Sequence, residues 1–562
     1  MLEKIRSKNI LKTVFEYIKK KDRLKIVRYN KKLQNKLNIK KKDFQDYKLL
    51  KQLNKKYNLS IEDIDIITLN LTKRKLDDNF FNSINDIGFN NLKELNIIGG
   101  MLSNIDFLVN PKFQRLEKLV INKNIYLKNI NALEKVDFKD LKELNLKDNI
   151  ISNINVLESV KFEKLEILNL SSNLISDINI LKEVNFKKLK ELNLKYNKIS
   201  DIKVLENLNF VNLEWLNLTG NEITDINILE KVNFPELKNL DLSYNNIKDI
   251  NILEKVNFPN LITLNFFHNK INDIKVLKDA NFKKLLNLYL GDNNLSNINA
   301  LEQAKFEELE KLYVGNNKII DISVLKNANF KGLKELNIKH NQISNISIFE
   351  KVDFPELRLL SLGYNSILDL KTIKFNKLQR LDLSGIKLND INILAQANFK
   401  ELTDLRLDSN NMSDISVLEK VNFKELTNLD LDFNNISDIS VLEKVNFKKL
   451  KYLRLDYNNI SDISVLEKVN FKELTNLSLY SNNISDISVL EKVNFKELAD
   501  LNLARNKIKN IKIFEKIKFD KLERLNLRSN SLNNDECIPI INKLRKKIKF
   551  VYFKEKEQIF HI

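Results

Sequence analysis

Cysteine and glycine are scarce in this chain of 562 residues, and each scarcity excludes a class of chemistry. Cys537 is the single cysteine, so no disulfide can form within the chain. Nine glycines leave no glycine-rich loop to cradle a phosphate. No uncharged run reaches the length that spans a membrane, and Lys12 and Glu16 interrupt the apolar residues near the amino terminus. We therefore expect an intracellular, most simply cytoplasmic, protein.

What the chain has in abundance is one repeated phrase. The segment SDISVLEKVNFKELTNL occurs at Ser413–Leu429 and again at Ser461–Leu477, and its first twelve residues also begin at Ser437 and Ser485, a step of 24 residues. The pattern Leu-x-x-Leu-x-Leu-x-x-Asn extends the same period in both directions. About twenty units follow one another between Ile66 and Leu522. Such a period indicates one structural unit stacked on copies of itself.

Each unit changes its apolar spacing halfway, which predicts its shape. Leucines first alternate as in a short strand with one buried face. Ile415, Leu418 and Val421 then recur every three residues, after Ser413 and Asp414, which suit a helix start. The unit is therefore strand, turn and short helix. Stacked units predict one parallel sheet that curves with its strands on the inside.

Two further columns of residues support the stack. Asparagines follow the strands, where an amide can pair with buried backbone groups, at Asn149, Asn173, Asn197, Asn221, Asn245, Asn269, Asn293, Asn317, Asn341 and Asn365. Phenylalanines at the same step predict a buried spine, at Phe138, Phe162, Phe186, Phe210, Phe234, Phe258 and Phe354, and again from Phe399 to Phe519.

These columns resemble the leucine-rich repeat family over roughly residues 66–540. LNLSSNLISDI (Leu168–Ile178) and LDLSYNNIKDI (Leu240–Ile250) carry the resemblance. Their ending is most similar to internalins and to regulatory subunits of protein phosphatase 1, which use a shorter repeat. The resemblance implies an α/β solenoid: a curved leucine-rich repeat array with a parallel sheet on the concave face, short helices or turns on the convex face, and a helical cap.

The first 60 residues lack the repeat and carry 20 Lys and Arg against 5 Asp and Glu. Their apolar residues predict two or three amphipathic helices. The preferred interpretation is a cap of residues 1–60, in which Val27 and the residues before it face Leu69 and Leu71. The alternative is a degenerate F-box module, although Leu-Pro is missing and Tyr29 and Asn30 stand where a tryptophan is expected. Residues 61–540 form the array.

The carboxyl-terminal segment of residues 541–562 is also basic, and Ile538–Phe553 predicts a closing helix and strand. Basic ends can attract nucleic acid or an anionic membrane. We favour lysines that solvate a cap, because no aromatic residues are interleaved with the charges in a known nucleic-acid motif.

Catalysis, cofactors and metals are not expected. No carboxylate pair stands out, and His268 and His340 lie three repeats apart, or roughly 14 Å at ~4.8 Å per strand, too far to share a metal ion. A contact role suits them better.

The inner face of the sheet is the predicted partner-binding surface of a monomeric protein. Aromatic residues at exposed positions there are the expected anchors for a protein partner, centred on Trp215, Tyr244, Phe267 and Tyr289. The full set is Tyr196, Trp215, Tyr244, Phe267, His268, Tyr289, Tyr313, His340 and Tyr364.

A second, charged patch follows along the same face. Four of its residues, Asp382, Arg406, Asp430 and Arg454, occupy one column with alternating sign, so they either neutralise one another or contact a ligand. The full set is Asp382, Asp404, Arg406, Asp408, Asp430, Asp432, Arg454 and Asp456. The two patches flank a shortened repeat of 21 residues between Leu357 and Leu378, where Ile386 replaces the asparagine, which makes either a tolerated kink or a hinge.

Two functions remain open from the sequence. The first is a non-catalytic, intracellular protein-binding scaffold, of which a phosphatase regulator is a variant. The second is a substrate adaptor of a cullin-type ubiquitin ligase, with the repeats holding the substrate and the amino-terminal helices holding the ligase.

Overall fold

Strands of three to five residues recur once per repeat in the computed structural model. It describes residues 20–63, 66–72, 76–87, 89, 91–367, 373, 375–388, 391–395, 399–517 and 519–553. The chain divides into two units, one of Met1–Lys270 with Ala280–Phe282 and one of Ile271–Asp279 with Lys283–Ile562. We call them the amino-terminal and carboxyl-terminal units. The boundaries near residues 60 and 540 stay predictions.

The amino-terminal unit begins with three helices and continues with nine strands. Its α-helices are α1 (Lys20–Val27), α2 (Lys31–Lys36), α3 (Lys41–Tyr57) and α4 (Asp78–Ile84). Its strands are β1 (Thr68–Leu71), β2 (Glu94–Ile98), β3 (Lys118–Asn122), β4 (Glu143–Asn145), β5 (Ile167–Asn169), β6 (Glu191–Asn193), β7 (Trp215–Asn217), β8 (Asn239–Asp241) and β9 (Thr263–Asn265). Its 3-10 helices are Asp106–Val109, Pro111–Phe113, Asn131–Lys135, Asn155–Glu158, Asn179–Lys182, Lys203–Asn207, Asn227–Lys231 and Asn251–Glu254.

The carboxyl-terminal unit continues the same order and ends in a helix and a strand. Its strands are β10 (Asn287–Tyr289), β11 (Lys311–Tyr313), β12 (Glu335–Asn337), β13 (Leu359–Ser361), β14 (Arg380–Asp382), β15 (Asp404–Arg406), β16 (Asn428–Asp430), β17 (Tyr452–Arg454), β18 (Asn476–Ser478), β19 (Asp500–Asn502), β20 (Arg524–Asn526) and β21 (Phe550–Tyr552), with α5 (Asn534–Leu544) before the last. Its 3-10 helices are Lys275–Lys278, Asn299–Glu302, Ser323–Lys326, Ser347–Glu350, Asn392–Ala395, Ser416–Glu419, Ser440–Glu443, Ser464–Glu467, Ser488–Glu491 and Lys512–Glu515.

Parallel pairing of successive strands confirms the predicted solenoid and its about twenty repeats. The register places leucine opposite leucine, as in Leu144, Leu168 and Leu192. All three are fully buried, while the residues on either side of each remain partly exposed. Every strand therefore buries one face in the core and leaves the other, which we call the sheet face, in contact with solvent.

The asparagine column forms a hydrogen-bonded ladder, as predicted. The amide of Asn245 donates to the carbonyls of Leu242, Ser243 and Leu218 at 3.1, 3.1 and 3.0 Å. Its carbonyl accepts from the N–H of Ile223 at 3.0 Å. Two of these partners belong to the preceding repeat, so the side chain joins adjacent turns. The phenylalanines that form the spine from Phe138 to Phe258 are likewise buried.

The predicted short helices are single 3-10 turns. In the repeat that begins at Ser413, residues Ser416–Glu419 form the turn, and the carboxylate of Asp414 accepts from the N–H of Ser416 at 2.7 Å. Asp414 thus satisfies the first N–H of the turn from the position before its N-cap residue, Ile415. Four residues are too few for a stable α-helix, whereas 3-10 pieces of this length are common.

One residue per repeat, directly before the ladder asparagine, adopts a left-handed backbone. Tyr196, Tyr244, His268, His340 and Tyr364 have φ between 51° and 55°. We call this position the left-handed column. Non-glycine residues seldom adopt this conformation.

The helices α1–α3 build a small core of their own. Val27 and Leu33 are buried there and pack with Leu37, Ile39 and Phe44. Val27 thus packs inside the helical segment, and the expectation that it faces Leu69 and Leu71 was wrong. Ile10, Leu11, Val14, Phe15 and Ile18, on which the remaining cap and F-box expectations rest, lie outside the described residues.

Contact with the repeats is made by the end of α3. The ring of Tyr57 meets the edge of Phe80 in α4 at 4.9 Å between centroids. Asn54 exchanges two hydrogen bonds with the backbone of Ile61, at 2.7 and 3.2 Å, and so fixes the link between α3 and the first strand. In the carboxyl-terminal unit, β21 is the predicted closing strand, and it pairs with β20.

Pairing continues through the shortened repeat. Strand β13 pairs with β14 in register, with Leu360 opposite Leu381, although the repeat has only 21 residues. Phe375 keeps the spine intact through contacts with Phe349 and Phe354 at 5.6 and 6.4 Å. Part of this repeat, 368–372 and 374, lies outside the described residues, and the choice between kink and hinge stays open.

Candidate partner-binding surfaces

The predicted aromatic residues occupy two kinds of position on the sheet face. Trp215, Phe267, Tyr289 and Tyr313 lie in or next to strands and are half-buried. The remaining five lie in the left-handed column and are exposed, namely Tyr196, Tyr244, His268, His340 and Tyr364. The sequence placed all nine on one surface, but it did not distinguish these two positions.

In the amino-terminal unit, three of the rings form a cluster. Tyr244 stacks on His268 at 4.6 Å and lies 5.5 Å from Phe267. Tyr244 nevertheless remains 45% exposed. The rings hold one another in place while presenting a flat apolar surface, which is the property of an interface anchor. We call this group the Tyr244 cluster.

Tyr196 and Trp215 lie apart from the Tyr244 cluster. The ammonium of Lys195 lies 4.6 Å from the centroid of the Tyr196 ring, and a Cβ at Gly220 would collide with that ring. Glycine is needed at that position for this close approach. Trp215 begins β7, where the register places it between Glu191 and Asn239. Of the four residues predicted as the centre, Trp215, Tyr244, Phe267 and Tyr289, the Tyr244 cluster contains Tyr244 and Phe267.

In the carboxyl-terminal unit, the predicted aromatics form two pairs. Tyr289 and Tyr313 meet edge to face at 5.1 Å, and the Tyr313 hydroxyl donates to Glu335. Burial, with the Glu335 carboxylate, raises the pKa of Tyr313 above its usual range. His340 lies parallel to Tyr364 at 4.1 Å, and burial lowers the pKa of His340. The lowered pKa favours the neutral imidazole of His340.

Aromatic residues that the sequence analysis did not single out extend the same column into the charged region. Phe433 and Tyr457 stack at 4.2 Å, and Tyr457 meets Tyr480 at 5.1 Å. Phe433 is 52% exposed, more than Tyr196 at 48%, Tyr244 at 45% or Tyr364 at 41%. The signal was present, since Phe433 and Tyr457 precede ladder asparagines just as Tyr244 does. The separation into an aromatic half and a charged half was therefore too sharp.

The charged patch forms the predicted alternating column. The register pairs Asp382 with Arg406, Arg406 with Asp430, and Asp430 with Arg454. The ion pairs follow this column only in part, because Arg406 Nε contacts Asp404 of its own strand at 3.5 Å. The aspartates and arginines of the column therefore do not all neutralise their neighbours on adjacent strands.

Arg454 is the centre of the ion pairs in this patch. It contacts Asp430 at 3.7 Å, Asp456 at 4.0 Å and the nearly buried Asp432 at closer range. Burial, together with the charges of Asp430 and Asp456, raises the pKa of Asp432 to about 7. Burial likewise raises the pKa values of Asp430 and Asp456. One arginine does not compensate three crowded carboxylates.

The remaining carboxylates of the patch are satisfied by hydroxyl groups. Ser384 Oγ lies 2.6 Å from both Asp382 Oδ1 and Asp408 Oδ1, and Ser361 donates to Asp382 at 2.8 Å. Within the described part of the chain, no group of three or more histidine, cysteine, aspartate or glutamate side chains is placed to hold a metal ion. Nor is any helix among those residues both long and apolar enough to cross a membrane.

Comparison with known proteins identifies the repeats. A family model described as leucine-rich repeats in two copies matches residues 211–255, 307–351 and 448–492. A second leucine-rich repeat model matches residues 163–223. No curated protein matches the chain.

Three solved structures that resemble the chain come from two bacteria and a plant. A leucine-rich repeat protein of Leptospira interrogans is 21% identical, with 87% of this chain and 96% of that chain covered and a TM-score of 0.40. An internalin of Listeria monocytogenes is 22% identical, with 82% and 95% covered and a TM-score of 0.29. The Arabidopsis receptor kinase HAESA, solved with a peptide hormone and a co-receptor, is 17% identical, with 92% and 100% covered and a TM-score of 0.46.

The family-model matches agree with what the structure shows in each unit. A parallel strand, a ladder asparagine and a 3-10 turn recur at the 24-residue step. By these matches, residues 163–255, 307–351 and 448–492 of the chain are leucine-rich repeats.

Proposed function

We propose that the chain is a non-catalytic, intracellular scaffold that binds a protein partner with the sheet face of its repeats. The observation that supports it most directly is the Tyr244 cluster, where Tyr244, Phe267 and His268 pack together yet leave Tyr244 45% exposed. Exposed aromatic groups held rigid by their neighbours are the side chains on which interfaces concentrate binding energy. The buried thiol of Cys537 fits a location where cysteines stay reduced.

The test is partner capture with the double variant Tyr244→Ala/Phe267→Ala. Truncating an anchor commonly costs ~2 kcal/mol or more of binding free energy, so the partner should be lost from pull-downs. The matched control is Leu174→Ala/Ile320→Ala, which removes two exposed apolar side chains that follow the asparagine column. Identical partner lists for both variants and the wild type, at equal melting temperatures, would exclude the Tyr244 cluster.

The adaptor function is a second proposal, and one observation favours it. An F-box must keep apolar surface free for the ligase, and the helical segment does so: Ile26 is 45% exposed and Tyr29 is 90% exposed. Co-purification of a cullin complex with the full-length chain, abolished by Ile26→Ala/Tyr29→Ala without a change in melting temperature, would support the adaptor. Absence of any cullin in the wild-type preparation would exclude the adaptor function and favour the scaffold function.

A further inference from the structure

The helices α1–α3 enclose a basic groove of about 1250 Å³. Seven cationic side chains line it and no carboxylate does. Lys25 pairs with Asp22 at 3.1 Å, but the other six form no ion pair with any described residue. These six are Arg28, Lys31, Lys40, Lys41, Lys48 and Lys51. We call this surface the cap groove.

Apart from Asp22, which pairs with Lys25, the acidic residues of these helices are engaged outside the cap groove. Asp43 accepts from the N–H of Lys40 at 2.7 Å and so closes the start of α3. Asp46 is buried on the other side of the helix. Residues 1–19 carry five Lys and Arg against two Glu, so they have the same sign as the groove and are not complementary to it. The uncompensated lysines and arginine of the cap groove should therefore attract an anionic ligand that is not part of this chain.

Two aromatic rings lie among these cations. Phe44 and Tyr47 line the cap groove and are half-buried, with the ammonium of Lys51 at 5.2 Å from the centroid of Tyr47. Along α3 the order is Lys41, Phe44, Tyr47, Lys48, Lys51, which brings rings and cations onto one wall. The helical spacing of Lys41, Phe44, Tyr47, Lys48 and Lys51 was a signal for this interleaving that the sequence already carried.

We propose that the cap groove binds single-stranded nucleic acid through its phosphate backbone, with bases stacked on Phe44 and Tyr47. Cationic grooves with stacking rings are how proteins hold single strands without reading their sequence. An acidic peptide would use the lysines but not the rings, so the combination favours the nucleic acid. This site is separate from the sheet face and does not depend on the proposed scaffold function.

The test is fluorescence anisotropy of the full-length protein with labelled oligouridylate over a range of salt concentrations. The variant Lys41→Gln/Lys48→Gln/Lys51→Gln changes only exposed side chains. We expect at least tenfold weaker binding. The slope of log affinity against log salt should also fall by about 2, because each lost phosphate contact removes about 0.7.

The matched control is Lys444→Gln/Lys468→Gln/Lys492→Gln, which removes the same charge from the 3-10 side of the repeats. It should bind oligouridylate as the wild type does. Equal weakening by the two triple variants would overturn the proposal, because the effect would then belong to net charge alone.

Stacking is tested with Tyr47→Leu, which keeps an apolar side chain and all the cations. Loss of a stacked base should weaken oligouridylate binding by roughly fivefold or more while the salt slope stays the same. Unchanged affinity, displacement by polyglutamate as readily as by unlabelled oligouridylate, or salt-sensitive self-association in place of binding would each overturn the proposal. Circular dichroism of every variant separates these outcomes from unfolding of the helices.

Discussion

Each ladder asparagine supplies hydrogen bonds that the backbone of a tight turn cannot make by itself. Asn245 is buried and makes four of them, three as donor and one as acceptor. No other side chain of that size carries both functions in the required geometry. The ladder therefore holds the repeats together through side chains as well as through the sheet.

Replacing that amide should be costly. Asn245→Ala leaves the buried N–H of Ile223 without its partner, at about 1–3 kcal/mol, and removes one of the two amide donors to the carbonyl of Leu218, which keeps Asn221. We expect a clear loss of unfolding free energy in urea titration. The adjacent Asn246→Ala, at a partly exposed position, is the control and should cost well under half as much. Similar losses for both would contradict the ladder's role.

Asp432 should make stability depend on pH. Its folded pKa of about 7 lies above the ~3.9 of an unfolded aspartate, so the folded state binds more protons between these values. Stability should therefore fall as pH rises from about 4 to about 7. One pKa unit corresponds to about 1.4 kcal/mol, so Asp432→Asn should reduce the difference between pH 5 and pH 8 by at least about 1 kcal/mol.

Denaturant midpoints measured from pH 4 to pH 8 show whether stability falls or rises with pH. Asp486 is the useful comparison, because hydrogen bonds from Ser488 lower its pKa, and its contribution is lost on acidification instead. Asp486→Asn should therefore flatten only the acid side of the curve. Parallel pH curves for the wild type and Asp432→Asn would show that Asp432 is not responsible.

Among the elements of the helical segment, α3 makes the ring contact with the repeats, and α1 and α2 pack with it around a small core. Leu50 and Leu53 of α3 are buried, and Tyr57 covers Phe80, which is fully buried. The small core of Val27 and Leu33 lies instead between the helices. The end of α3 therefore covers the repeats, while α1, α2 and the start of α3 line the cap groove.

Two truncations distinguish these tasks. Removal of residues 1–57 exposes Phe80 and should cost the repeats ~2–3 kcal/mol, the value of one buried aromatic side chain. Removal of residues 1–38 keeps α3 and should leave the melting of the repeats nearly unchanged while abolishing the cap groove. Differential scanning calorimetry compares them. Equal destabilisation would place the capping contacts in α1 and α2.

Strands were predictable from the sequence because their leucines alternate under a single constraint, burial of one face. The type of helix was less predictable from the sequence. A three-residue spacing such as Ile415 to Leu418 is compatible with both an α-helix and a 3-10 turn. The left-handed column escaped notice because its occupants vary, from Tyr244 to His340. Ion pairs such as that of Arg406 with Asp404 depend on side-chain rotamers, which a column of letters does not specify.

For the molecule as a whole, near-identical repeats predict tolerance to the loss of one entire period. Deleting residues 461–484 joins Ile460 to Ser485 and recreates the native junction sequence. In a stack of nearest-neighbour units, this removes one repeat and one interface and leaves the rest intact. We expect a cooperative transition and an unchanged circular dichroism spectrum per residue.

Deletion of residues 461–472 is the control. It removes half a period and so separates a strand from the turn of its own repeat. That shorter deletion should lower the melting temperature more than the longer one. The reverse order would mean that chain length rather than period governs the stability of the stack.

The ladder also points in one direction along the chain, which matters while the protein is being made. Asn245 completes the backbone of the repeat before it, so Leu218 and Ile223 gain these partners only after residue 245 has left the ribosome. At 5–20 residues per second, a 24-residue period emerges in roughly 1–5 s. The newest repeat on a nascent chain therefore lacks its final bonds for seconds at a time. The repeat that contains β20 waits in the same way for β21, whose Tyr552 carbonyl accepts from the N–H of Leu527 at 2.9 Å.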